Sequence, residues 1–286
     1  MINVKLQTQN NLSNFNNFDN SHLSIQLSLD GFAFSIFDKD LVDVIMLKSY
    51  EFSDRPHNPE QLLNHVKEIY QLEPILYNNF ESVKVSHSNN LSAIVPETYY
   101  DENNLSDYLK YSIKVLDNDN IQVDHINDNT IKNIYIPFIG VNEFLKSIYD
   151  DFESVHSSSI LISSLMGYFK NTIKKYFFVN VTKRNLEIIY MNNGVIQLNN
   201  SFLYHTKEDF IYYILYTMEQ LNLDADAQPI TFIGDIDEQS ELYAITYQYV
   251  RHLDFLNVNN FSLSDSFFQI HPQIQRHQYF ELLNQF

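Results

Sequence analysis

The chain has 286 residues, 44% of them hydrophobic and 19% charged, which is enough apolar material for a sizeable core shared between two domains or lobes. Its formal net charge of −18 disfavours direct binding to nucleic acid or to an anionic membrane surface, because both interactions draw on basic side chains. There is no cysteine, which excludes disulfides, thiolate metal sites and cysteine nucleophiles.

Residues 1–21 are polar and Asn-rich and read as a lead-in with one short strand near residues 3–7. No apolar leader is visible there, and the densest apolar cluster, residues 210–216, is far shorter than the roughly 20 residues a membrane span needs. The expectation is a soluble cytoplasmic protein. Leu23, Ile25, Leu27 and Leu29 alternate with polar residues, Asp30-Gly31 marks a hairpin turn, and Phe32, Phe34 and Ile36 return. A third run over residues 42–52 completes a meander. Asn58, Pro59 and Gln61 then form a helix start, and Leu62, Leu63, Val66, Ile69 and Tyr70 form its apolar face.

Strands are predicted at 83–87, 91–95, 121–126 and 134–138, with a helix at 105–115. Asp117, Asp119, Asp124 and Asp128 lack the alternate spacing, central Gly and closing Glu of a calcium loop and read as a solvated acidic turn. Helices are predicted at 141–152 and 159–174, joined by residues 153–158. His156 lies beside a serine run, but without a nucleophile elbow it reads as a surface or satisfied histidine.

A second meander comes next: residues 178–181, 186–190 and 195–203, with Asn193-Gly194 as its second turn. Thr206 caps a helix on which Phe210, Ile214, Met218 and Leu221 form a core stripe. A strand at 230–233 ends in Gly234-Asp235. A helix at 238–250, a strand at 253–258 and a final helix from about residue 273 complete the pattern. Aligning the meanders places Ile25-Gln26-Leu27-Ser28 on Val179-Asn180-Val181-Thr182. Two related halves are implied.

Two meanders, each leading to a helix and then strand–helix units, resemble the actin-like ATPase superfamily. The segments LSIQLSLDGFAFSIFD, LSAIVPETYYDE, IYIPF and NNSFLYHTKEDFIYYILYTMEQLNLD, spread over residues 23–224, are similar to an uncharacterised bacterial family of unknown function with that fold. The resemblance implies an α/β, ribonuclease H-like duplicated fold whose two lobes each carry a mixed sheet led by a three-stranded meander and flanked by helices. The corresponding domains are a lead-in at 1–21, a first lobe at 22–152, a connector helix region at 153–174, and a second lobe with a C-terminal helix at 175–286.

Relatives with ATPase activity bind nucleotide between the lobes, using an Asp-x-Gly-type hairpin in each. Here the matching positions are Gln26 and Ser28, then Asn180 and Thr182, and Gly234-Asp235 stands at the adenine motif. An amide is a poor ligand for a hard cation and no base, and a Cβ blocks close approach of backbone to phosphate. The expectation is a pseudo-ATPase with no catalytic residue, metal or cofactor, acting as a binding or scaffold protein for a protein partner. The alternative is a nucleotide-binding or weakly active phosphotransfer enzyme with Ser28, Thr182, Asp235 and Asp237 lining the cleft. A filament or pilus-type assembly role is the third reading, by analogy of fold.

Overall fold

The computed structural model describes residues 2–9, 18–110, 115, 119–258 and 266–286. It divides into two compact units. Unit 1 comprises Met1–Ser163, Phe261–Pro272 and Glu281–Phe286; unit 2 comprises Ser164–Asn260 and Gln273–Phe280.

Unit 1 opens with β1 (Ile2–Gln9), β2 (Ser21–Ser28), β3 (Gly31–Asp38) and β4 (Asp43–Phe52), followed by α1 (Pro59–Leu72), β5 (Ser82–Ser88) and β6 (Ser92–Pro96). It continues with α2 (Leu105–Leu109), β7 (Gln122–Ile126), β8 (Ile131–Tyr135), α3 (Ile139–Lys146) and β9 (Glu153–His156). The division between units falls within α4 (Ser157–Phe169). Unit 2 holds β10 (Lys175–Val181), β11 (Asn185–Asn192), β12 (Val195–Leu203), α5 (Lys207–Gln220), β13 (Ile230–Gly234), α6 (Glu241–Thr246) and β14 (Leu253–Phe255). The last helix, α7 (Ser266–Ile270), belongs to unit 1.

The two main sheets share one plan. Unit 1 has the order β1-β4-β3-β2-β5-β9 and unit 2 the order β12-β11-β10-β13-β14. In each, an antiparallel meander is followed by two parallel strands on the side of its first strand. The match extends to register. Ile25 pairs with Phe34 and Val85, and Val179 pairs with Ile188 and Phe232. A bulge also falls on the same rung: the pairing slips after Ile36↔Met46 in unit 1 and after Tyr190↔Leu198 in unit 2. A third sheet, β6-β8-β7, belongs to unit 1 and has no described counterpart in unit 2.

The helices after the meanders are matched as well. Asn58 accepts a hydrogen bond from the Gln61 N–H at the head of α1, while the Gln61 side chain accepts the His57 N–H. Thr206 and Asp209 form a reciprocal capping box at the head of α5. Both helices run 14 residues. In unit 1, Leu62, Val66 and Ile69 of α1 share a core with Leu23, Ile25 and Leu27 of β2 and Phe34 of β3. Phe210, Ile214 and Met218 do the same with Phe177, Val179 and Ile188 in unit 2.

Several elements depart from the sequence pattern. Gly31 stands at the turn expected of Asp30-Gly31, but its φ is not positive: a Cβ there would lie 2.4 Å from the Tyr50 carbonyl oxygen, so close approach of β4 is what demands glycine. Asn193 and Gly194, by contrast, both take positive φ, as a primed turn requires. The strand expected at 134–138 is Ile131–Tyr135, because Asn127, Asp128 and Asn129 all adopt the left-handed region and turn the chain earlier than any glycine signalled. The helix expected at 141–152 stops at Lys146, and residues 153–156 are a strand paired to β5 rather than a linker.

The helix expected at 238–250 starts only at Glu241, since the Asp237 side chain takes the Gln239 N–H in a turn and Ser240 then caps the helix. At the end of the chain, α7 precedes Pro272, and only 3-10 turns, Arg276–Tyr279 and Leu282–Asn284, come after it. Of the helix expected at 105–115, α2 is seen; residues 111–114 lie outside the described ones.

A buried ion pair ties β4 to the end of α1. Lys48 Nζ lies 2.8 Å from both carboxylate oxygens of Glu73, and the Tyr50 hydroxyl donates to the same carboxylate. Lys48 and Glu73 are only 5% and 8% exposed. Lys48→Met should therefore cost about 3–5 kcal/mol in denaturant unfolding by stranding a buried carboxylate, and adding Glu73→Gln should restore part of that loss.

Candidate functional site

The positions that matter are the ends of the two central strands. In unit 1, Gln26 and Ser28 lie at the end of β2; in unit 2, Asn180 lies at the end of β10 and Thr182 immediately follows it. Register makes these pairs equivalent: Gln26 lies between Ala33 and Ser86, and Asn180 between Glu187 and Ile233.

Each hydroxyl is turned onto its own hairpin. Ser28 Oγ accepts the Asp30 N–H at 3.1 Å and the Gly31 N–H at 3.0 Å. Thr182 Oγ1 accepts the Asn185 N–H at 3.2 Å, and the Thr182 N–H donates to the Asn185 carbonyl at 2.9 Å. These backbone donors are the groups an anion would need, and a side chain of the same turn has taken them. Gln26 is engaged too: its Nε2 donates to the carboxylate of Glu281, which is 7% exposed. Next to it, the Gln285 carboxamide meets Ser86 Oγ at 2.8 Å. Glu281 thereby sets a buried carboxylate against the Gln26 amide at the end of β2.

In unit 2, Asn180, Thr182, Gly234 and Asp235 come together. Gly234 has φ +83°, and a Cβ on it would meet the Val181 carbonyl at 2.2 Å and Asn180 Oδ1 at 2.8 Å. The Asp235 N–H donates to that same Val181 carbonyl at 2.7 Å, and the Asp235 side chain is exposed. Packing of β13 over the end of β10 thus accounts for the glycine. The unit 1 counterpart of Gly234 is His87, since both sit on the rung after the paired Ser86 or Ile233.

His87 belongs to a buried polar network that the sequence pattern did not reveal. Its Nδ1 accepts the Phe138 N–H at 3.2 Å and its Nε2 reaches Ser154 Oγ at 3.1 Å. His156 is likewise satisfied: Nδ1 accepts the Ser158 N–H and Nε2 donates to the Asn89 carbonyl, each at 3.1 Å. Burial pulls both imidazoles down, to about 3 and about 4, so both are neutral. Asp124 is not the solvated residue its polar neighbours implied. It accepts the His156 N–H at 2.7 Å and the Ser159 hydroxyl at 2.6 Å at the start of α4, and burial pushes its carboxyl up to about 6. Asp119 is half-buried, Asp128 is exposed, and Asp117 lies outside the described residues. Neither histidine has a nitrogen left to deprotonate Ser159, and the network braces β7, β9 and α4. No group of three His, Cys, Asp or Glu side chains among the described residues is placed to hold a metal, and no helix among them is long and apolar enough to cross a membrane.

A family model described as a protein of unknown function, DUF3822, matches residues 9–253. The chain belongs to that family. No curated protein matches it in sequence. In structure, this DUF3822 member is similar to a Bacteroides thetaiotaomicron protein of actin-like ATPase fold and unknown function, with a TM-score of 0.72, 19% identity, and coverage of 90% of this chain and 97% of the other. It is also similar to a chain of the PilM–PilN type IV pilus biogenesis complex, with a TM-score of 0.57, 9% identity, and coverage of 92% and 96%. The DUF3822 chain therefore has the actin-like ATPase fold, and its duplicated sheets are that fold's two halves.

Gly234→Ala should lower stability by about 2 kcal/mol or more in urea unfolding, because the strained φ and the Val181 contact act together. Asp124→Asn should raise stability above pH 6 and lose that gain below about pH 4. The native carboxyl is raised, so its contribution is complete below the unfolded value of 3.8 and vanishes as pH climbs through 6. Thermal unfolding across that pH range reads the difference.

Proposed function

We propose that this actin-like chain acts by binding a protein partner and does not turn over nucleotide. The observation that carries this reading is the self-satisfaction of both hairpins. Ser28 and Thr182 take the backbone donors of their own turns, and Glu281 sets a carboxylate on Gln26. In unit 2 the Asn180 amide stands where an ATPase would carry an acid, and an amide neither holds Mg²⁺ well nor takes a proton. The PilM–PilN complex, to which the chain is similar in fold alone, supplies a precedent for such a fold working within a protein assembly.

We further propose that the chain works in the cytoplasm, where a protein without a disulfide framework is at no disadvantage. The alternative, a nucleotide-binding enzyme with a rearranged site, would have to release the Ser28 and Thr182 turns before any phosphate could approach. Thermal-shift titration with millimolar ATP and GTP, with and without Mg²⁺, separates the two. A melting temperature that stays put is the expected result, because a ligand that binds only the folded state must raise it. A rise of several degrees that requires Mg²⁺ would sink the proposal.

A further inference from the structure

We propose that the outer edge of β12 pairs with the same edge of a second copy of this chain, antiparallel and centred on Asn200. Duplication of the sheet singles out this edge. In unit 1 the third meander strand, β4, is covered by β1, which pairs antiparallel along residues 46–52. The rung-for-rung equivalent in unit 2 begins at Leu198, just past the shared bulge, and runs along β12. There β12 is the end of the sheet, and no described strand lies beyond it.

The other edges carry devices that deter pairing. Lys5 stands in the bulge of β1, β9 has four residues and contains Glu153, and β14 has three and contains Asp254. β6 is short and closes on Pro96, and β7 carries Asp124. β12 has nine residues and no charge, and no Asp, Glu, Lys or Arg occurs between Glu187 and Lys207. Its exposed apolar residues include Val195 and Leu203, which are 55% and 47% accessible. The bulge at Gln197 does not close this edge, since the same bulge in β4 leaves room for β1.

The occupant follows from composition and charge. A two-fold axis through Asn200 sets Leu198 against Phe202 of the copy, Asn199 against Ser201, and Asn200 against its own counterpart. Apolar meets apolar and amide meets hydroxyl or amide, with Asn199 and Ser201 keeping their side-chain bonds to Glu187 and Asn185 and the Ser201 N–H exchanging its bond to Asn200 Oδ1 for one to the copy, so the strand complements itself. Unit 2 also carries the smaller part of the acid excess, so two copies meet there with the least repulsion. A cationic partner strand would find no carboxylate in β12 to recognise.

Sedimentation velocity on the full chain, from low micromolar to about a hundredfold higher concentration, tests this. A monomer–dimer equilibrium is expected, with slowed amide exchange at 198–202 as the dimer fills. Asn200→Lys opposes two ammonium groups on the axis and should weaken the dimer about tenfold or more, while Asn200→Ser keeps it and circular dichroism confirms both folds. A chain that stays monomeric throughout, or a dimer that Asn200→Lys leaves intact, overturns the proposal.

Discussion

Everything in this molecule hangs on the register of two central strands. β2 and β10 are each paired on both sides, antiparallel to one neighbour and parallel to the other, and their apolar side chains are sealed against α1 or α5. A slip of one residue would turn Leu23, Ile25 and Leu27 out of the core and bring Ser24 and Gln26 in. Helix position, hairpin geometry and the placing of Gln26 and Asn180 all follow from that alignment.

Much of this was legible because the signals are local. Alternation marked both meanders, and Asn58 and Thr206 sat where helix caps should sit. Asn193-Gly194 supplied the positive φ that a primed turn needs. The four-residue echo between residues 25–28 and 179–182 proved to be a statement about strand pairing. The equivalence of the two hairpins, and the DUF3822 and actin-like assignments, were within reach of sequence for the same reason.

Features that stayed hidden depend on partners far away in the chain. The contact between Gln26 and Glu281 spans 255 positions, and no local pattern announces it. Gly31 looked like a turn glycine, but its reason is the Tyr50 carbonyl on a neighbouring strand. β9 is too short to show a period, and Asp124 looked solvated because its neighbours are polar, although α4 buries it. No regular helix follows Pro272: Leu282 and Leu283 are buried from a 3-10 turn, and tertiary packing of that kind overrides propensity.

The short turns of the meanders also set an order of events. β2 and β3 are joined by two residues, β10 and β11 by three, and β11 and β12 by two, so each ladder closes over a small loop. β5 and β13 reach the same strands only after a helix and the loops around it have intervened. Loop-closure entropy therefore makes each meander the nucleus of its half, and the parallel strands condense onto it later. Two nuclei built on short loops, one in each half, would leave the crossover pairings as the slow step of folding.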